Sequence, residues 1–362
     1  MHIGVVSTHV AGGGAEDVAA KTIKLLIEEG HSVTLYTRDS VSVEDYRRFY
    51  GEELKCSIAV RKALFDAKLF PTRYRFLTNE LWLKGSRDGV LLDLSPSIVP
   101  LYLRNPKLVY FHNVPKFDLS IANSGLMKLA FCPYNAFARY LVRKFVADEH
   151  IHMIANSRFT QARLARCHVK ARVIYPPVDL DQWRRPMHHN QRRGIVSLAR
   201  FAPQDPQKRH DWQLEIVRGR KDDLIAMGNC LNSSQEAHLS KLRENAPSNV
   251  RFVTNAPLET VRDILSRRKV FLHTAFEEPF GMSIVQSIAA GCIPLVHDSG
   301  GPREIVPMRE LRFKTVSEAK IKLDQVLRGE YDHFMPALRD HIEGFSTKTF
   351  KDGMLREIFD AA

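Results

Sequence analysis

Short apolar runs rich in Val, Ile and Leu recur at residues 2–7, 32–37, 90–93, 108–112, 152–155 and 171–175, each followed by a stretch with helical spacing. These runs are near-continuous rather than alternating, the pattern of strands buried on both faces. Strand and helix repeating in this way predict an α/β fold with a parallel sheet covered by helices on both sides. The repetition pauses at YPPVDLDQW, 175–183, where two prolines stop regular structure, and the basic stretch RRPMHHNQRR follows. A second series then starts at GIVSLAR and continues through LIAMG, VRFVT, VFLHT and CIPLVH. Two such halves joined by one proline-rich linker predict a cleft between them, with ligands at the carboxyl ends of the strands. The expected partition is 1–178 and 179–345, with a C-terminal helix over about 346–362 packing back on the first half.

The chain has 362 residues, enough for two sizeable cores, and a formal net charge of +12. That charge calls for an acidic partner: nucleic acid, an anionic membrane surface or a phosphorylated substrate. No nucleic-acid-binding motif is present, so no nucleic acid partner is expected. Two stretches, 61–85 and 126–147, mix Lys and Arg with Phe, Tyr and Leu, which suits helices at an anionic membrane interface and equally suits core helices with a basic outer face. The chain opens on HIGVVS without a leader pattern, carries no run of ~20 apolar residues, and spreads its five cysteines with no CxxC pair. A cytoplasmic, reducing setting is the expectation, peripheral at a membrane face.

Chemistry concentrates in FEEPFGMSIVQSIAAG, 276–291. Pro279 and Gly281 predict a turn into a helix, one face of which carries Met282, Ile284, Val285, Ile288 and Ala289. The first amides of such a helix lack partners and attract anions. A carboxylate beside them, Glu277 or Glu278, repels bare phosphate, so it suits hydroxyls attached to that phosphate, as in a sugar diphosphate. A carboxylate near a helix start for dipole reasons alone is the other reading. After the first strand, STHVAGGGAED offers Gly13 and Gly14 for close backbone approach to a ligand, or for tight packing. Arg200 and Lys208, in LARFAPQDPQKRH, place two cations after the first strand of the second half, suited to a diphosphate or to solvent.

Together these pieces resemble the GT-B glycosyltransferases, specifically glycosyltransferase family four. The co-linear order GGGAE, YFHNVP, ANSRFTQARL, VIYPPVD, LARF, HTAFEEPFGMSIVQSIAAG and HDSGGPREIV carries the resemblance over nearly the whole chain. It implies two Rossmann-like domains, a nucleotide-sugar donor and retaining hexosyl transfer without a metal or other cofactor. By the same resemblance Glu278 accepts from donor-sugar hydroxyls, the amides of Phe280, Gly281 and Met282 face sugar and diphosphate, and His112 lies near the donor sugar. Arg200 and Lys208 match the pair that neutralises the leaving diphosphate, with Arg209 as the alternative to Lys208 because the loop is stretched by QDP. The family's second acidic position falls on Gln286, where an amide replaces the carboxylate that holds the ribose.

The combination of ANSRFT, YPPVD, LARF and HDSGGP is most similar to members that move mannose from GDP-mannose to lipid-linked oligosaccharides at the cytosolic face of the endoplasmic reticulum. A UDP-sugar donor, a soluble acceptor or a non-catalytic sugar-nucleotide binder are the alternatives. Asp179-Leu180-Asp181 spells the DxD metal signature of the other large glycosyltransferase fold, but it follows the linker prolines and reads as helix-capping chemistry. The fifteen histidines show no HExxH or other ligand spacing.

Overall fold

The computed structural model describes residues 1–7, 13–37, 43–51, 53, 55–60, 89–95, 108–113, 147–185, 191–203 and 205–359. The first half forms a sheet of β1 (His2–Val6), β2 (Ser32–Thr37), β3 (Ser57–Val60), β4 (Val90–Asp93), β5 (Leu108–Phe111), β6 (His152–Ala155) and β7 (Arg172–Val173). Their order is β3-β2-β1-β4-β5-β6-β7, parallel throughout. In the second half β8 (Ile195–Leu198), β9 (Leu224–Gly228), β10 (Val250–Thr254), β11 (Val270–His273), β12 (Ile293–His297) and β13 (Arg312–Phe313) take the order β10-β9-β8-β11-β12-β13, again parallel. In each sheet the chain leaves one strand, β1 or β8, outwards in both directions. Such reversal points leave a crevice at the carboxyl ends of the strands.

Each sheet has its own core. In the first, Ile3, Val5, Leu35 and Leu92 are fully buried, as the near-continuous apolar runs require. In the second, Val196, Phe271, Ile284, Ile288 and Leu295 are fully buried. Each such side chain contributes roughly 1.5–3 kcal/mol by leaving water. The Thr347–Phe359 helix inserts Phe350, Met354 and Ile358 into the first core, so the end of the chain packs on the half where it began. Arg172 and His152 both bond the buried Glu357 carboxylate and fix that helix to the sheet.

The chain therefore crosses between the halves twice, and the crossings lie side by side. Val178 N–H donates to the Phe345 carbonyl at 3.1 Å, and Thr347 N–H donates to the Val178 carbonyl at 3.1 Å. Asp179 caps the short Leu180–Trp183 helix, its Oδ1 accepting from Gln182 N–H at 3.3 Å. The stretch spelling DxD is thus linker and cap. The expected interfacial stretches, 61–85 and 126–147, lie outside the described residues except for Ala147. Among the described residues no helix is long and apolar enough to cross a membrane.

Candidate functional site

The carboxyl ends of the two sheets face each other across a cleft of about 390 Å³. Loops after β1, β5 and β6 supply Gly13, Gly14, His112 and Asn156 from one wall; Arg200, Lys208, Gly228, His273, Glu278 and the start of the Met282–Ala290 helix supply the other. All ten residues expected from the sequence, Gly13, Gly14, His112, Arg200, Lys208, Glu278, Phe280, Gly281, Met282 and Gln286, line it. A wider depression of about 860 Å³ opens at the amino end of β6, beside His152 and Arg172, away from these loops.

The helix start is shaped by Gly281, whose φ of 108° lies in the left-handed region. A Cβ there would lie 2.8 Å from Ile284 Cδ1, so conformation and space both demand glycine. Phe280 anchors the turn: its ring is 2% exposed and packs against Tyr175 and Phe345. Its side chain therefore serves the core. Met282 and Gln286 are four apart and share the face of the helix that lines the cleft. Because Ile284, Val285 and Ile288 are buried behind that face, the helix presents its amide end to the cleft without freedom to turn.

Beside this helix start, Lys208 Nζ lies 2.5 Å from Glu278 Oε2, each side chain 16% exposed. Burial is the largest influence on the Glu278 carboxyl and opposes its charge, but Lys208, then His273, outweigh it and hold the group below the ordinary carboxylate range. His273, at the end of β11, is 5% exposed; burial pushes its imidazole down to about 4 despite the pull of Glu278. Its Nδ1 is buried without a hydrogen-bond partner. Arg200 reaches Asp205 at 3.4 Å and is otherwise half-exposed toward the cleft.

The Lys208 loop is tied to the acidic loop by backbone. Thr274 Oγ1 donates to the Lys208 carbonyl at 2.9 Å, and Phe276 N–H donates to the Gln207 carbonyl at 2.7 Å. Arg209 takes a left-handed φ of 49°, and its guanidinium sits over Trp212 at 4.3 Å and over Phe276 at 4.6 Å. Between these two neighbours it is Lys208 that faces the cleft. Glu277, the other member of the acidic pair, turns outward to Arg163 at 2.7 Å.

On the opposite wall the His112 ring donates through Nε2 to the Leu94 carbonyl at 3.0 Å, because a carbonyl can only accept. That fixes the neutral tautomer and leaves Nδ1 as an acceptor. Burial holds the ring near 4, so it stays uncharged at neutral pH. Asn156 clamps the same loop, its Nδ2 donating to the His112 carbonyl at 2.8 Å. The two walls touch at the glycines: a Cβ on Gly14 would lie 3.1 Å from Met282 Sδ, and one on Gly13 would lie 3.4 Å from an Arg200 guanidinium nitrogen.

Four residues that line the cleft escaped the sequence reading. His273 lies inside the strand run VFLHT and has no spacing signal of its own. Asn156 was visible only as a letter of ANSRF. Asp17 and Lys21 form a buried pair at 2.9 Å that lines the cleft and ties the first helix to the linker through the Pro177 carbonyl at 3.3 Å. Their i, i+4 spacing was the available signal. Among the described residues no group of three or more His, Cys, Asp or Glu could hold a metal ion.

Two sequence families meet on this chain. Residues 12–182 match the family described as Glycosyltransferase Family 4, and residues 188–333 match that described as Glycosyl transferases group 1. Facing parallel sheets with family domains on both halves decide the assignment. The chain has the GT-B fold, and each half carries a glycosyltransferase family domain. This GT-B chain is similar to the sucrose-phosphate synthase (tll1590) of Thermosynechococcus elongatus, with a TM-score of 0.76 at 15% identity over all of both chains. It is also similar to WaaG, a glycosyltransferase involved in lipopolysaccharide biosynthesis, with a TM-score of 0.72 at 12% identity over 99% of this chain and 100% of that one. Those TM-scores establish a shared fold. In sequence it is 29% identical over 214 residues to a Xenopus laevis protein named GDP-Man:Man(3)GlcNAc(2)-PP-Dol alpha-1,2-mannosyltransferase. The match covers 52% of this chain and 42% of the frog protein, so the GT-B chain spans less than half of that relative.

Proposed function

We propose that the protein is a retaining hexosyltransferase that moves mannose from GDP-mannose to a lipid-linked glycan at a membrane surface. One observation carries the reading: Glu278, Lys208 and Arg200 surround the amide end of the Met282–Ala290 helix, opposite His112. Breaking the bond between a sugar and a nucleoside diphosphate builds negative charge on the phosphate and positive charge on the ring. Fixed cations and helix amides stabilise the first; a nearby carboxylate favours the second. Arg200, Lys208 and the amides of Phe280, Gly281 and Met282 take the leaving diphosphate, doing the charge-neutralising work that a metal does in other transferases. A diphosphate brought to Lys208 also loosens its bond to Glu278, freeing that carboxylate to accept from the sugar hydroxyls. Neutral His112, with Nδ1 as acceptor, positions a hydroxyl of the donor sugar.

The identity of donor and acceptor draws support from the frog relative's name, and the membrane setting draws support from the net charge of +12. The test is direct: incubate the purified protein with a polyprenyl-diphosphate oligosaccharide and, separately, GDP-mannose, UDP-glucose or UDP-galactose, and weigh the glycan. A gain of one hexose with GDP-mannose alone is expected. A gain only with a UDP-sugar replaces the donor, and transfer only to a water-soluble glycan replaces the acceptor. Binding of a sugar nucleotide without transfer to either acceptor class overturns the enzymatic reading.

A further inference from the structure

The motif ANSRFT lies in the N-terminal domain and GGPRE in the C-terminal domain, yet the fold bonds them to each other. Ser157 caps the Arg158–Ala165 helix, its Oγ accepting from Thr160 N–H at 3.0 Å. The same hydroxyl donates across the domain boundary to the Pro279 carbonyl at 2.6 Å. One small side chain thus starts a helix in one domain and holds the loop that carries Glu278 in the other.

Glu304, from the second domain, takes what that helix still offers. Its Oε1 accepts from Phe159 N–H at 2.8 Å; its Oε2 accepts from Arg158 N–H at 3.0 Å and from the Tyr175 hydroxyl at 2.9 Å. A carboxylate at the positive end of a helix with three donors is a strong, charge-assisted contact. Arg163 adds its ion pair with Glu277 at 2.7 Å. From the other side the loop rests on its own domain: Gly301 N–H donates to the Glu278 carbonyl at 2.8 Å, and Ser299 Oγ accepts from Glu277 N–H at 2.8 Å. A Cβ on Gly301 would lie 2.4 Å from the Pro279 oxygen, so the turn bears directly on the loop.

We propose that Ser157 and Glu304 form a latch between the two domains, which fixes the 277–281 loop when shut and releases when the cleft opens. The contacts are polar, and their outer pair is edged with water: Arg163 and Glu277 are 40% and 43% exposed, while Ser157 is buried. Polar groups find replacement partners in water when such an interface parts, which a sealed apolar interface cannot offer. The paired chain crossings at Val178 and Ser346 give the motion its pivot. Neither residue lines the cleft, so each acts by position. Ser157 sets the Pro279 carbonyl, and through it the carboxylate of Glu278 and the amide of Phe280.

That the latch governs transfer rests on the function proposed above; that it holds the domains together does not. The experiment separates the two. Small-angle scattering of the full chain without ligand is compared for wild type, E304A and E304Q, with far-UV circular dichroism as the check on folding. E304A should enlarge the radius of gyration, and E304Q, which keeps one accepting oxygen, should lie between it and wild type. If E304A fails to fold, E304Q alone is held to the same expectation. Saturating GDP should draw the variants back toward the compact form. For transfer, S157A should lose about tenfold in turnover with donor KM changed less than about threefold, the mark of a misplaced catalytic loop rather than a lost ligand contact. Wild-type scattering from every folded Glu304 variant overturns the latch, whatever the outcome with sugar nucleotides.

Discussion

The Lys208 ammonium lies 2.5 Å from the Glu278 carboxylate, and both side chains are largely withdrawn from water. In that setting each charge depends on the other. Glu278→Gln keeps the shape and removes the charge, so transfer should fall about a hundredfold, the scale of a lost electrostatic contact at a reacting centre. Nucleoside diphosphate carries no sugar hydroxyls, so its affinity should move by less than about threefold. Titration of both proteins with GDP, beside initial rates with the sugar nucleotide, checks this. An equal loss of GDP affinity would place Glu278 on the nucleotide instead.

Removing the other partner should act differently. Lys208→Met leaves a buried carboxylate without the cation that outweighs its burial, so the Glu278 carboxyl should rise above its ordinary range. Stability should fall by about 3 kcal/mol at neutral pH, as for other buried pairs broken on one side. Denaturant titration at pH 7 reads the loss, and the double variant Lys208→Met, Glu278→Gln should recover part of it. A double variant no more stable than Lys208→Met alone would show that the pair is not what the single change breaks.

The sequence made the scaffold and the lining of the cleft legible because both follow from local rules. Continuous apolar runs marked every strand that lies inside a sheet. β3 and β13 escaped: Ser57–Val60 is half-exposed at an edge of the first sheet, and Arg312–Phe313 is two residues long at an edge of the second. Neither buries enough to leave an apolar run. Gly281 was readable because helix starts and left-handed turns have their own residues. His273 and Glu304 were not, since their importance comes from neighbours many residues away, across the sheet or across the cleft. The choice between Lys208 and Arg209 turned on a backbone angle, which no composition or spacing reveals.

Arg209 tests that last point. Its guanidinium is held between Trp212 and Phe276, so Arg209→Ala should cost about 1–2 kcal/mol of stability. Arg and Ala bear the same left-handed strain, and the comparison therefore isolates the side chain. GDP affinity should stay within about threefold of wild type. A tenfold loss with stability unchanged would move the diphosphate contact from Lys208 to Arg209.

His273 supplies a pH signature. Its folded pKa is about 4 against an ordinary 6.5, because the site admits the neutral ring and resists the charged one. As pH falls below 6.5 the unfolded chain gains a proton that the folded chain refuses, so stability drops through the window from 6.5 to about 4 and levels below it. The share from this one residue is about 3 kcal/mol at 1.36 kcal/mol per pKa unit. Midpoints of guanidinium unfolding at stepped pH should show His273→Asn with a shallower slope over that window, while wild type and variant run parallel above pH 7. Identical slopes would mean that the ring protonates in the folded protein as easily as outside it.

Gln286 is where the acidic motif of the family departs from its usual form, and the structure keeps it on the cleft face of the helix, one turn below Met282. A carboxylate there offers two charged acceptors to the ribose hydroxyls, whereas an amide offers one neutral oxygen. The difference is on the order of 1 kcal/mol, or roughly five- to tenfold in donor affinity. The proposed reaction tolerates that loss, since the groups it assigns to the developing charges, Lys208, Arg200 and the helix amides, are unchanged. Gln286→Glu should therefore tighten GDP-mannose binding modestly and leave the choice of sugar as it was. The 2′-deoxyribose analogue supplies the control: both proteins should bind it more weakly than the parent, and the variant should lose more, having more to lose. Equal affinity of wild type for the analogue and the parent would remove Gln286 from the ribose.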